Sequence, residues 1–144
     1  MQSLGKPQFE ISFNQYKEDL YSYYNKHYSE DLSDEEKSAD LLAIAANQLL
    51  SNNIKPDKAI TLFNKALSRY KELLLNINDR NKQGEIYLKM AEIYEKFPIQ
   101  KNDLEFCYKE ALTCFIDTHN NTKILETCKK LVGLISMILQ KVNG

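Results

Sequence analysis

An all-α fold is what this sequence predicts, and three observations predict it. Apolar residues recur at spacings of three and four along most of the chain, the period of one face of a helix. No stretch alternates with a period of two over the length of a strand. Only four glycines and three prolines occur in 144 residues, too few for the many tight turns of an all-β chain.

The elements follow in order. A first helix is expected over about 7–27, where Phe9, Phe13, Tyr16, Leu20, Tyr23/Tyr24 and His27/Tyr28 form one stripe. Ser33 followed three residues later by Glu36 is a capping-box signature that opens a second helix. Its face is Leu41, Leu42, Ala45, Ala46, Leu49 and Leu50, and it ends near Ser51 before the turn residues Asn52 and Asn53. Pro56 suits the first position of a third helix, because its missing N–H has no intrahelical partner there anyway. That helix carries Ile60, Phe63, Ala66, Leu67, Tyr70 and Leu74, and Asn76 to Asp79 closes it. A fourth, about 81–96, stacks Ile86, Tyr87, Met90, Ala91, Ile93 and Tyr94 ahead of Pro98, which stops it. The fifth runs over about 103–117, and Asn120 with Asn121 separates it from a sixth over about 122–141. The connections are short, so neighbouring helices are expected to pack antiparallel.

Composition narrows the function classes. A hydrophobic fraction of 43% with 27% charged residues is ordinary for a globular chain. The net charge of −1 gives no general pull toward nucleic acid. Five tyrosines between Tyr16 and Tyr28 stand among Lys17, Lys26 and His27, but Glu18, Asp19, Glu30 and Asp31 are interleaved and would repel phosphates. The longest apolar-rich stretch, Leu131 to Leu139, is far shorter than a bilayer span. Met1 to Glu10 contains no apolar leader, and three cysteines are an odd number without framework spacing. The expectation is a cytoplasmic protein without membrane insertion.

Internal repetition is the strongest signal. Shifting the chain by 45 residues lays Leu42, Ala45, Ala46 and Leu49 on Tyr87, Met90, Ala91 and Tyr94. The same shift lays Ala59, Phe63, Ala66 and Leu67 on Leu104, Tyr108, Ala111 and Leu112. A third copy of the first pattern follows as Val132, Ile135, Ser136 and Leu139. Small residues (Ala46, Ala91, Ser136) let a partner helix approach closely, and the large residue three positions on fills the groove beside it. Neither helix of such a pair buries its face alone, so pairs must stack.

This pattern resembles the tetratricopeptide repeat over about 40–139. The first helix of each pair reads large-x2-large-small-x2-large and the second small-x3-aromatic-x2-small, as in that family. The resemblance implies antiparallel hairpins stacked as a short right-handed solenoid of about six helices. One domain would then comprise an N-terminal helix or cap (1–32), two repeats (33–78 and 79–119) and a C-terminal helix (120–144). The sequence departs from the family in a longer turn within each pair and in Lys71 and Ile116, which replace its usual proline. The period also exceeds the usual value of about 34. In its long helices the chain is similar to soluble NSF attachment proteins and to bacterial peptide-sensing Rap proteins. The first helix lies outside the pattern, since Asn14, Glu18 and Tyr21 stand 45 residues before Ala59, Phe63 and Ala66.

The resemblance implies a groove lined by the first helix of each pair, able to hold a peptide or helix of a protein partner. Mapped position by position, that face is Ala43, Asn47 and Leu50, then Glu85, Leu88, Glu92 and Glu95, then Lys130, Gly133, Met137 and Gln140. The three glutamates share one side of a helix and would suit a basic partner. Asn47 matches an asparagine that clamps a C-terminal carboxylate in chaperone-binding repeats, but Ala43 stands where such clamps carry a basic residue. The last predicted helix bears Leu131, Val132, Leu134, Ile135, Met137, Ile138, Leu139 and Val142 around most of its circumference. Ile135, Met137, Ile138 and Leu139 are therefore candidates for a homo-oligomer interface, the mark of an assembly subunit rather than an adaptor. Cys107, Cys114, His119 and Cys128 lack the paired spacing of a metal site and read as core filling. No phosphate loop, nucleophile elbow or HExxH occurs, so neither a cofactor nor catalysis is expected.

Overall fold

The computed structural model describes residues 34–51, 56–96 and 101–143. Among them are five α-helices and no strand: α1 (Asp34–Ser51), α2 (Pro56–Asn76), α3 (Arg80–Tyr94), α4 (Lys101–Asp117) and α5 (Asn121–Asn143). The helix expected over 7–27 lies outside the described residues, as do the Ser33 cap, the Asn52–Asn53 turn and Pro98. The chain divides into two compact units, Met1–Arg69 and Tyr70–Gly144, with the boundary inside α2.

In the first unit, α1 buries Ala39, Leu41, Ala45 and Ala46, while α2 buries Ala59, Phe63, Ala66 and Leu67. The small residues of the repeat are thus in the core, and Arg69 of α2 donates through Nη1 to the Ser38 hydroxyl of α1. Ile60 is not part of that core. It is 46% exposed, because it follows Ala59 by one residue and so points roughly 100° away around the helix.

In the second unit, α4 packs on both α3 and α5. Asp79 caps α3, its carboxylate accepting from the backbone N–H groups of Asn81 (3.0 Å) and Lys82 (3.3 Å). The α3–α4 pair is antiparallel, tied at one end by Arg80 donating twice to Asp117 Oδ2 (2.8 and 3.0 Å). At the other end the Tyr108 hydroxyl donates to Glu95. Between these ties Tyr87 meets Phe106 edge to face, with ring centroids 6.3 Å apart. Gly84 sets how closely the two helices approach. A Cβ there would fall 2.7 Å from Cε1 of Phe115, a ring that is itself fully buried.

The turn from α4 to α5 closes with His119 in the left-handed region at φ 56°. Asn120 N–H donates to Phe115 C=O (2.9 Å) and His119 N–H to Ile116 C=O (3.1 Å), the paired bonds of a Schellman ending. Asn120 then caps α5, accepting from Lys123 N–H (3.2 Å), and its amide donates to Asn81 Oδ1 (2.7 Å) on α3. Lys101 of α4 lies near Lys141 of α5, and that neighbouring ammonium, with partial burial, lowers the Lys101 pKa.

Candidate functional site: the outer stripe of the last helix

Two apolar stripes run along α5, each with alternating steps of three and four. The inner one is Ile124, Thr127, Leu131, Leu134 and Ile138. Thr127 and Leu134 are buried and the other three half-buried. The outer one is Leu125, Cys128, Val132, Ile135, Leu139 and Val142, displaced by one residue and so rotated roughly 100° around the helix. Its exposures are 58% at Leu125, 62% at Val132, 47% at Ile135, 55% at Leu139 and 76% at Val142, with Cys128 half-buried. No described helix covers it.

The repeat register explains this stripe. Val132, Ile135, Ser136 and Leu139 stand 45 residues after Tyr87, Met90, Ala91 and Tyr94. On α3 Tyr87 is half-buried against Phe106 of α4, and Met90, Ala91 and Tyr94 are buried. On α5 no described helix covers the matching face, so Ser136 is exposed and is not the close helix contact expected of it. The other expected interface residues divide between sides. Ile135 and Leu139 belong to the outer stripe, Ile138 to the inner one, and Met137 (45% exposed) projects elsewhere on the free surface.

The residues expected to line a groove are placed as follows. Asn47 and Leu50 are exposed on α1, with Ala43 half-buried. On α3, Glu85 and Leu88 are half-buried and Glu92 and Glu95 exposed. Glu85 pairs with Lys82 (3.6 Å), and Glu95 accepts from Tyr108. Burial first, and then the Glu95 hydrogen bond and charge, push the Tyr108 hydroxyl pKa well up. Lys130, Gly133, Met137 and Gln140 are exposed on α5, which shares its interface with α4 and none of comparable extent with α3.

Cys107 and Cys114 are buried in α4, and burial pushes the Cys107 thiol up to about 12. Such a thiol stays protonated and inert, the reverse of an activated nucleophile. Among the described residues no group of three or more His, Cys, Asp or Glu is placed to hold a metal ion. Nor is any described helix long and apolar enough to cross a membrane. Leu125 was not singled out from the sequence, although the three-four spacing of Val132, Ile135 and Leu139 extends back to it. No family model, no curated protein and no solved structure matches the chain.

Proposed function

We propose that this chain is a non-catalytic protein-interaction module of tetratricopeptide-like build, and that the outer stripe of α5 is its principal docking surface. The observation that carries the reading is the exposure of five large aliphatic side chains in a single helical seam. Such a seam exposes on the order of 500 Å², the size of the largest apolar patch of a typical folded monomer, and such patches are often functional. The acidic side of α3, with Glu85, Glu92 and Glu95 around Leu88, is a second strip suited to a basic segment of a partner. Asn47 and Leu50, exposed on α1 of the first unit, and Lys130 and Met137, exposed on α5 of the second, are further candidate contact residues, each within its own unit.

The test replaces Ile135 by Glu, which puts a charge in the seam at a position already 47% exposed. Affinity capture from cells of the native source should then lose the proteins retained by the unaltered chain, at least tenfold by quantitative mass spectrometry. An identical capture profile for the two chains would remove the seam as the docking surface. Glu92→Lys does the same for the acidic strip, whose binding should also weaken with added salt.

A further inference from the structure

We infer that the occupant of the outer stripe of α5 is the same stripe of a second copy of this chain, laid antiparallel. This rests on the reading of that stripe as a docking surface and names its partner. Three features of the stripe select a copy of itself over a helix resembling α4.

The first is what has changed between α3 and α5 at equivalent positions. The α3 face admits α4 because Gly84 leaves room for the Phe115 ring and because Arg80 meets Asp117. Forty-five residues on, Lys129 stands for Gly84 and Leu125 for Arg80. A ring placed like Phe115 would collide with a Lys129 stem, and an acidic residue placed like Asp117 would meet Leu125 instead of a cation. The face has kept its register while losing its fit to an aromatic-bearing, acid-ended helix. Beside Lys129 and Ser136, the outer stripe keeps five aliphatic residues and Cys128.

The second is how that seam matches itself. Helices with apolar residues at alternating three and four steps pair as knobs into holes. Laid antiparallel about a two-fold axis between Val132 and Ile135, the seam makes three kinds of layer: Val132 against Ile135, Cys128 against Leu139, and Leu125 against Val142. Each layer joins one larger and one smaller side chain, so the layers fill evenly and none sets two of the largest residues together. No charged residue lies in the seam. Lys129, the nearest flanking cation, faces the Ser136 side of the other copy rather than its own counterpart. A closed two-fold contact of this kind is also the commonest form of self-association.

The third is area. Two seams of on the order of 500 Å² bury about 1,000 Å² in all, the lower bound for a specific contact. The pair is therefore a reversible dimer, seen at high concentration and dissociated when dilute.

Sedimentation equilibrium of the full chain from about 1 to about 300 µM reads this directly. The average mass should climb toward twice the monomer's. Ile135→Glu should hold it at the monomer's value while the helical circular dichroism is unchanged. Leu139→Cys reads the orientation, because Cys128 of one copy then faces position 139 of the other. Oxidation with diamide should give a dimer cross-linked between 128 and 139, found by peptide mapping. A strict monomer throughout, a dimer that survives Ile135→Glu, or preferential Cys128–Cys128 linkage would overturn the proposal. If the chain is monomeric yet Ile135→Glu still abolishes capture of other proteins, the second copy is wrong and the docking surface stands. If neither measurement responds, both fall.

Discussion

The Met90–Ala91 side of α3 and the outer face of α5 stand on one 45-residue register, and they differ in how far they are buried. On α3, Met90 is 3% exposed and Ala91 fully buried. On α5 the matching Ile135 is 47% exposed and Ser136 open to solvent. The lesson is that periodicity shows that a face is built to be covered, while only the fold shows whether a neighbour does so. The unmatched copy is then where a partner is to be sought.

The comparison breaks most easily at its paired positions. Met90→Ala should cost about 2–4 kcal/mol, because it deletes a buried side chain and leaves a cavity. Ile135→Ala in the dilute chain should stay within about 0.5 kcal/mol, as exposed substitutions generally do. Urea unfolding of both variants at low concentration decides this, and equal losses would mean that the two faces are equally buried.

The glycines sharpen it, since the same substitution should act with opposite signs. Gly84→Ala forces a Cβ against the enclosed Phe115 ring and should destabilise by about 1–2 kcal/mol, despite alanine's better helix propensity. Gly133→Ala on α5 meets nothing within 4 Å, so the propensity gain of about 0.5–1 kcal/mol should appear undiminished in the melting temperature. His119→Gly is expected to stabilise by up to about 1 kcal/mol, because a non-glycine residue at φ 56° carries a strain that glycine lacks.

Alkaline pH probes the covered side through Cys107. Cys107 has its pKa raised by burial from 9.0 to about 12. Below about 9 its thiol is protonated in both native and unfolded chains, so it adds no pH dependence there. Above that, the unfolded thiol ionises first, and stability should fall progressively as pH rises toward about 12. The Cys107→Ala chain should show a shallower decline over the same window, measured by urea titration at several pH values.

Much of this was legible in the sequence, for physical reasons that also set the limits. Ala46, Ala59, Ala66, Ala91 and Ala111 are buried as the 45-residue register required, since a small residue on an apolar helix face has little other use. Helix ends were readable where a side chain carries the signal, as Asp79 and Asn120 do. Gly84 carries no signal in the sequence, because a glycine within a helix looks merely unfavourable without the Phe115 ring above it. The Tyr108–Glu95 and Arg80–Asp117 ties join residues far apart in sequence, and no local pattern announces them. Spacings of three and four tolerate a neighbour one residue away, so Ile60 reads as part of the core stripe although it is exposed. The same tolerance blurs the two stripes of α5, so that Ile138 and Ile135 read as one group although they face different ways.

The labelling rate of Cys128 by a maleimide, followed against protein concentration, tests the central claim most directly. Cys128 lies in the outer stripe and is half-buried, whereas Cys107 and Cys114 are buried on α4. In the dilute chain Cys128 should react well ahead of the other two, and its rate should fall severalfold as the chain is concentrated, while theirs stay slow throughout. A Cys128 rate that is the same at every concentration, or that is no faster than the rates of Cys107 and Cys114 when dilute, would contradict an open seam that a second copy closes.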